Sequence, residues 1–291
     1  MDPVLGLLHA LDAPGHLAAL VPGLGCSAAA PSPPPPPTTA PVAERRWLRE
    51  EGLVVLPELA SASTAARLVA GIHTLVAARY PAAFVYAFDD AWQLGERVRA
   101  AVSSLVGAEY AVAPDIWAWE IPPGRRGWPA HRGMAHAVFD RERPEAVNTW
   151  VALSDVGAER SCLSFVPLDD DAHYPAALDR VDAPLERARA LPVAAGTALA
   201  WNANVLHWGG PCSPRAEGPR VSCSFTLYRA DAAERFGPTV ALAELDYRRR
   251  MEILADQLLV YGEGQPDVSP EVLAWGRTLC AMSSLSGRKE G

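Results

Sequence analysis

The sequence predicts a mainly β fold with helices on either side of the β region. Short runs of strand-forming residues, separated by Pro, Gly and Asp, follow one another from residue 115 to residue 229, which is typical of a sandwich or barrel. Helical periodicity comes before this region and returns at about residues 242–261. With 291 residues, 49% of them hydrophobic, the chain is long enough to bury a sizeable core.

The chain divides into three predicted regions. Residues 1–29 contain short amphipathic pieces and are expected to form an N-terminal helical extension. Residues 30–43 include the run A-P-S-P-P-P-P-P-T-T-A-P, which predicts a stiff linker because such a run favours the polyproline II conformation. A spacer is favoured over a partner-binding segment. Residues 44–291 are expected to form the main domain, a β core followed by C-terminal helices.

The main domain begins with helices. The run E-R-R-W-L-R-E-E-G predicts a short helix that ends at Gly52 and is followed by a strand. Ser61 or Ser63 is suited to cap the next helix, because a serine hydroxyl accepts a hydrogen bond from a free N–H of the first turn. A further helix is expected over residues 91–106. The later strands are expected at residues 115–121, 147–154, 161–166, 197–201, 204–207 and 220–229.

Charge and cysteine content limit the partners and the compartment. The formal net charge of -8 disfavours a nucleic acid polymer or an anionic membrane, but it leaves room for a small anionic ligand beside a local positive cluster. Five cysteines without a C-x-x-C pair indicate free thiols in a reducing compartment. No apolar run reaches the length of a membrane span, and the N-terminus does not resemble a signal peptide. We therefore expect a cytoplasmic protein.

The run R-V-S-C-S-F-T-L-Y predicts a strand with one polar and one apolar face. Alternation places Arg220 and every second residue up to Tyr228 on one side. A polar face towards the protein interior is costly unless something polar binds there. Arg220 and Ser222 suit a carboxylate, because a guanidinium forms paired hydrogen bonds with it and a hydroxyl adds another. An internal Asp or Glu paired with Arg220 is the alternative, and this strand alone does not decide between them.

Two histidines precede this strand. His207 lies thirteen residues before Arg220, in the run A-L-A-W-N-A-N-V-L-H-W-G-G. A single histidine is usually a structural hydrogen-bonding residue. The order His131, His207 and Arg220-x-Ser222 indicates more, because two imidazoles with open positions and a carboxylate-binding arginine describe a non-haem Fe(II) site with a bound 2-oxo acid.

From about residue 44 to residue 229 the chain resembles the phytanoyl-CoA dioxygenase branch of the Fe(II)/2-oxoglutarate oxygenases. The resemblance implies a double-stranded β-helix (jelly-roll, cupin-like) core. It also implies that His131 and His207 bind Fe(II), that Arg220 and Ser222 hold the distal carboxylate of 2-oxoglutarate, and that O2 is the oxidant. The similar segments, in the order of that family, are R-E-E-G-L-V-V-L-P-E-L, G-W-P-A-H-R-G, N-T-W-V-A-L-S-D-V, C-L-S-F-V-P and L-H-W-G-G…P-R-V-S.

The sequence departs from that family at Gly133, where the pattern H-x-D/E supplies the third protein ligand. One explanation is a non-catalytic copy. A second is a hydroxylase in which His136 or Asp140 replaces the ligand, although neither has the i, i+2 spacing. The third is a halogenase: similar oxygenases with H-x-G or H-x-A bind chloride at the vacant position, and glycine leaves volume for that ion. We favour an Fe(II)/2-oxoglutarate-dependent halogenase that chlorinates an unactivated C–H bond.

A freestanding small-molecule substrate is expected, because an acidic chain is poorly suited to dock an acidic carrier protein. Arg125, Arg126 and Arg132 flank the metal-binding segment and suit an anionic group such as phosphate; surface arginines are the alternative interpretation. Trp117 and Trp119 suit stacking on a base, and core packing is their ordinary role. The chain is also similar to nucleotide chlorinases of nucleoside antibiotic biosynthesis, which implies a purine deoxynucleotide monophosphate. A free amino acid or an alkaloid is the alternative substrate.

Overall fold

Helices come before and after a β region, as the sequence predicts. The computed structural model describes residues 3–34, 42–182 and 185–283. None of the helices in these ranges is both long and apolar enough to cross a membrane. The helices are α1 (Pro3–Leu11), α2 (Gly15–Leu20), α3 (Val42–Glu51), α4 (Ala62–Ala77), α5 (Asp89–Val106), α6 (Tyr247–Tyr261) and α7 (Pro270–Met282). The strands are β1 (Leu53–Leu56), β2 (Tyr110–Ile121), β3 (Ala146–Ala152), β4 (Leu163–Val166), β5 (Arg189–Leu191), β6 (Ala198–Asn202), β7 (Leu206–Gly209) and β8 (Arg220–Arg229).

The strands form two antiparallel sheets. The larger sheet has the order β1-β6-β3-β8-β2, and the smaller has the order β5-β4-β7. In the larger sheet, Trp150 of β3 lies opposite Leu199 of β6 on one side and Ser224 of β8 on the other. The segment that ends at His131 extends the smaller sheet, because His131 and His207 exchange two backbone hydrogen bonds of 3.0 Å each. The architecture is the β core with flanking helices expected of a jelly-roll fold.

One face of the larger sheet packs against the helices. β8 contributes Val221, Cys223, Phe225 and Leu227 to this core, and all four are buried. Gly95 of α5 lies against the Phe225 ring, where a Cβ would come within 2.5 Å of a ring carbon, so glycine permits the close approach of helix and sheet. The predicted apolar face of β8 is confirmed.

A second apolar cluster holds the two sheets together. Trp150 and Trp201 come from the larger sheet, and Leu163 and Phe165 come from the smaller one. The Phe165 and Trp201 rings meet edge to face, with centroids 5.1 Å apart and planes at 71°, a favourable arrangement for aromatic pairs. The polar face of β8 therefore lies between two packed layers.

The N-terminal helices are part of the main core. Leu17, Val21 and Leu24 are buried in the same cluster as α4, and a Cβ at Gly71 of α4 would lie 2.5 Å from a Leu24 methyl carbon. The extension thus packs directly on the main domain. Half of the predicted linker, residues 35–41, lies outside the described residues, and the domain boundaries stay predictions.

Two predicted element ends are confirmed. Gly52 follows α3 with a φ of 80°, in the left-handed region that glycine adopts at low cost. The Ser61 hydroxyl caps α4 by accepting the Thr64 N–H at 3.1 Å. The glycine after α3 and the serine cap of α4 each depend only on residues close in the chain, so both can be recognised in the sequence alone.

Other element ends differ from the predictions. β2 starts at Tyr110, five residues early, because a register shift between Val112 and Ile116 accommodates Pro114 inside the strand. β5 has only three residues, too few to show a period. α7 lies beyond the helical periodicity of residues 242–261 and begins after Ser269, whose hydroxyl accepts the Val272 N–H.

Candidate active site

A cavity of about 250 Å³ lies between the two sheets. The larger sheet supplies side chains from β2, β3, β6 and β8, and the smaller sheet supplies β4, β7 and the segment around His131. Ser222 of β8 lies opposite Trp119 of β2, is fully buried and is not among the residues that line the cavity. Of the residues that the sequence analysis selected, those lining the cavity are Trp117, Trp119, His131, Arg132, Gly133, His207 and Arg220.

The His131 and His207 rings face each other next to their backbone pair. Their centroids are 4.2 Å apart and their planes are tilted by 51°. Two imidazoles that each bind one metal ion at about 2.1 Å, at a right angle, have centroids roughly 4.5 Å apart. The observed separation therefore suits a shared metal ion with little movement of either ring.

Both imidazoles present Nε2 for binding. The Nδ1 of His131 lies 2.8 Å from the Pro129 carbonyl oxygen, and the Nδ1 of His207 lies 3.0 Å from that of Val205. A carbonyl oxygen only accepts, so each Nδ1 carries the proton and each Nε2 keeps its lone pair. Burial lowers the pKa of both rings, that of His207 well below its usual value. Both are therefore neutral at pH 7, the form that binds metal.

Arg220 is a buried cation without an acidic partner in the described part of the chain. It is 1% exposed, and its Nη1 donates to the Ser161 carbonyl oxygen at 2.8 Å. Its Nε and the Ser222 hydroxyl are buried and make no hydrogen bond within the described ranges. Burial lowers the pKa of Arg220 to about 10, so the group stays charged. The alternative of an internal Asp or Glu partner is thus not found, and the arrangement suits an anionic ligand.

Ser161 holds the Arg220 side chain in place, and the backbone conformation of Ser161 itself is strained. Its φ of 55° lies in the left-handed region, which is uncommon for a residue other than glycine. Its carbonyl accepts from Arg220, and its hydroxyl donates to the Gly210 carbonyl oxygen at 2.5 Å. β4 begins at Leu163, two residues later than predicted, and the sequence carries no local signal of this role.

Three tryptophans supply unused donors at the cavity wall. The indole N–H groups of Trp119, Trp150 and Trp201 are buried and have no hydrogen-bond partner among the residues described. The Cζ of Arg220 lies 5.8 Å from the ring centre of Trp119 and 5.6 Å from that of Trp150. Since buried polar groups are usually paired, so many unsatisfied donors around one cavity indicate a polar ligand. Trp119 lies beside Arg220, the position expected for a contact with that ligand.

The space beside Gly133 is not empty. A Cβ at this position would lie 2.7 Å from the Cγ of Asn148 on β3, and closer still to its Oδ1. Residue 133 lies outside any strand, because the chain leaves the sheet after His131. The expectations of a strand position and of cleared volume are therefore corrected: the Asn148 carboxamide occupies the place of the missing side chain. His136 and Asp140 are exposed and do not line the cavity.

A hydrogen-bond chain joins Asn148 to α6. Asp115 accepts from the Tyr261 hydroxyl at 2.6 Å and from the Thr226 hydroxyl at 2.7 Å. Thr226 Oγ1 in turn accepts from the Asn148 Nδ2 at 3.2 Å. Trp117 packs edge-on against Tyr261, with centroids 5.7 Å apart. The carboxamide is thus anchored on its nitrogen side, and its buried Oδ1 has no partner in the described part of the structure.

The three arginines predicted to bind an anionic group of the substrate lie in different surroundings. Arg132 forms an ion pair of 2.6 Å with Asp171, and both side chains are 0% exposed. It also donates to three backbone carbonyls. The Arg132 guanidinium is engaged with the loop around Asp171, and a role of Arg132 in substrate binding stays a prediction. Arg125 and Arg126 are exposed in the segment before His131 and do not line the cavity.

Several site residues went unrecognised in the sequence. Strand alternation could have found Asp115, which shares a face of β2 with Trp117 and Trp119. Alternation also places Asn148 beside Trp150 on β3. The register shift between Val112 and Ile116 makes the face of Asp115 hard to assign, because regular alternation is interrupted at a bulge.

Two facing imidazoles and a buried arginine inside a jelly-roll are typical of the Fe(II)/2-oxoglutarate-dependent oxygenase superfamily. Residues 84–216 match the model of the phytanoyl-CoA dioxygenase family. The match includes His131 and His207 and ends four residues before Arg220. No curated protein sequence gives a significant match.

Solved structures share the fold at low identity. The epimerase SnoN, in complex with Fe3+, α-ketoglutarate and nogalamycin RO, is 21% identical with a TM-score of 0.53, over 65% of this chain and 83% of SnoN. The α-ketoglutarate-dependent carbocyclase SnoK from nogalamycin biosynthesis is 17% identical with a TM-score of 0.51, over 70% and 95%. The non-heme monooxygenase ThoJ is 16% identical with a TM-score of 0.57, over 84% and 100%.

Arg132→Ala is expected to lower the free energy of unfolding by about 3–5 kcal/mol, because it leaves Asp171 buried without its counter-charge. Arg126→Ala, at an exposed position, should stay within about 0.5 kcal/mol of the wild type. Urea unfolding measures both. An Arg132→Ala protein with wild-type stability and weakened substrate binding would contradict the structural role.

Proposed function

We propose that the protein is a non-haem Fe(II)/2-oxoglutarate-dependent oxidoreductase that modifies a C–H bond of a small molecule. The observation that carries this proposal is Arg220, a buried cation without an acidic partner in the described ranges, in the same cavity as the paired imidazoles. A 2-oxo acid suits both features, because one carboxylate pairs with the arginine and the 2-oxo acid end offers oxygen ligands to a metal. The family match over residues 84–216 supports the same cofactors.

The residues present fit these groups. His131 and His207 would hold the iron through Nε2, because their Nδ1 protons are committed to backbone carbonyls. Arg220 Nε and the Ser222 hydroxyl, both unpartnered among the described residues, would bind the distal carboxylate. When bound, iron and 2-oxoglutarate supply the activation of O2. The cavity walls then limit water and fix the substrate C–H bond beside the metal.

The cavity limits how the substrate binds. At about 250 Å³ it is smaller than the roughly 300–1,000 Å³ typical of small-molecule sites, and 2-oxoglutarate takes part of it. Only the reacting part of a substrate therefore enters, and the rest lies at the mouth. A purine deoxynucleotide monophosphate is the specific candidate, with Arg125 and Arg126 available for its phosphate outside the cavity. The SnoN complex with nogalamycin RO supports a natural-product small molecule more generally.

Chlorination and oxidation are two forms of the proposed reaction. Gly133 favours chlorination, because a residue without a ligand atom two positions after His131 would leave a coordination position to chloride if Asn148 does not take it. Asn148 favours oxidation, because its carboxamide lies beside Gly133. Both forms use iron, 2-oxoglutarate and O2, and they differ in the group transferred to carbon.

His131→Ala and His207→Ala are each expected to lose Fe(II) binding. Arg220→Ala should weaken 2-oxoglutarate binding at least tenfold, because each charge-assisted hydrogen bond contributes about 1.5–3 kcal/mol. Anaerobic titration of Fe(II) and 2-oxoglutarate, followed by the visible charge-transfer band, measures both effects. Arg187→Ala, which removes an exposed arginine, is the control and should behave as wild type. Unchanged 2-oxoglutarate affinity in Arg220→Ala would remove this residue from the site.

The mass of the product separates chlorination from oxidation. If the protein chlorinates, the product should gain chlorine in place of hydrogen only when chloride is supplied. If it oxidises, chloride-containing and chloride-free buffers should give the same oxidised product. Mass spectrometry of paired reactions with 2'-deoxyadenosine monophosphate as the first test substrate measures the difference.

The proposed phosphate contact predicts that 2'-deoxyadenosine monophosphate binds more tightly than 2'-deoxyadenosine. The phosphate adds charge-assisted hydrogen bonds of about 1.5–3 kcal/mol each, and the double variant Arg125→Ala/Arg126→Ala should remove the difference. Calorimetry with the Fe(II)- and 2-oxoglutarate-loaded protein, kept anaerobic, measures it. Equal binding of the two compounds to the wild type would exclude a phosphate contact and leave the cofactor site unaffected.

A further inference from the structure

The place of the missing side chain at Gly133 is filled from the opposite sheet. A Cβ at position 133 would lie 2.7 Å from the Cγ and 2.9 Å from the Nδ2 of Asn148, with Oδ1 closer than either. Gly133 lies two residues after His131, just beyond the segment that extends the smaller sheet, whereas Asn148 belongs to β3 of the larger sheet. A polar group is therefore present where the local sequence shows none.

The hydrogen-bond chain fixes which end of the carboxamide faces Gly133. Thr226 has one hydroxyl proton, and it is donated to Asp115 at 2.7 Å. Its oxygen must then accept from Asn148, which places the NH₂ group towards Thr226 and the carbonyl oxygen towards Gly133. Oδ1 is buried and accepts no hydrogen bond from the described residues. A buried acceptor without a donor is costly in a folded protein.

We propose that Oδ1 of Asn148 is the third protein ligand of the iron site, in place of the carboxylate that Gly133 lacks. This inference rests on the proposed function, because it requires that His131 and His207 bind iron. A carboxamide oxygen is a suitable hard ligand for a divalent cation, and binding a cation gives Oδ1 the partner that the protein does not provide. No rearrangement of the Asp115–Thr226 chain is needed.

The same orientation disfavours chloride beside Gly133. An anion there would face the lone pairs of Oδ1, while the NH₂ group is turned towards Thr226, to which it donates one hydrogen bond. With His131, His207 and Asn148 as ligands, the protein would hold the iron through three side chains, and the place beside Gly133 would not be open to chloride. Oxidation is therefore favoured over chlorination as the form of the reaction.

The test uses Co(II) alone, added to the metal-free full-length protein without 2-oxoglutarate, and reads affinity by calorimetry and coordination by visible absorption. Asn148→Ala is expected to bind Co(II) at least tenfold more weakly than the wild type and to show a spectrum with one ligand changed. Asn148→Asp should bind at least as tightly as the wild type. Gln93→Ala, which removes a carboxamide outside the cavity, is the control and should not change either reading.

A double variant tests whether a ligand atom supplied from position 133 can replace the one supplied by Asn148. The φ of Gly133 is outside the left-handed region, so its backbone accepts a side chain once Asn148 is shortened. Gly133→Asp/Asn148→Ala is therefore expected to regain the affinity that Asn148→Ala loses, because a carboxylate enters the vacated space. Gly133→Asp alone should bind worse than the double variant, since its Cβ meets the carboxamide. Thermal unfolding of each variant separates loss of folding from loss of a ligand.

The possible results separate failure of the Asn148 ligand from failure of the proposed function. If Asn148→Ala and Asn148→Asp both bind Co(II) with wild-type affinity and spectrum, Asn148 is not a ligand, and the proposed function stands. If chloride alters the wild-type Co(II) spectrum in the way that it alters that of Asn148→Ala, chloride shares the position and the inference fails. If the wild type binds neither Co(II) nor Fe(II), both the inference and the proposed function are overturned.

Discussion

A charged guanidinium buried between two sheets is the constraint on which the rest of this site depends. Removing such a group from water costs several kcal/mol unless a counter-charge and hydrogen bonds replace the water. The described protein supplies hydrogen bonds to Arg220 from Ser161 only, and two indole rings cover its flanks at 5.6 and 5.8 Å. Gly209 leaves room for it, because a Cβ there would lie 3.2 Å from the Arg220 Nη1. The fold is thus prepared for an anion that it does not itself contain.

The sheets also determine where a metal could lie relative to that anion. Gly127 and Gly209 pass so closely that a Cβ on Gly127 would come within 2.6 Å of the Gly209 Cα. This approach allows the segment around His131 to pair with β7, and the paired backbones bring the His131 and His207 rings together. Backbone register therefore preorganises the two imidazoles, which reduces the reorganisation that metal binding requires.

The features that the sequence predicted are those that depend on neighbouring residues. Alternation along β8 placed Arg220 on the interior face, and a single serine and a single glycine identified the start of α4 and the end of α3. The ion pair of Arg132 could not be predicted, because a sequence shows that a charge is near a site but not which way it points; its partner Asp171 is 39 residues away. Ser161 and Asn148 went unrecognised for the same reason, since their roles come from contacts across the two sheets.

The H-x-G pattern shows what a local motif can predict about a metal site and what it cannot. It records that one position carries no side chain, but whether a ligand is missing depends on what else enters that space. Here the entering group is a neutral amide, and its NH₂ is hydrogen-bonded to Thr226, which donates to the carboxylate of Asp115. If the amide oxygen binds iron, the negative charge that a carboxylate ligand would bring is not lost from the cavity. It is moved two hydrogen bonds away, where it can polarise the amide towards the metal without occupying a coordination position.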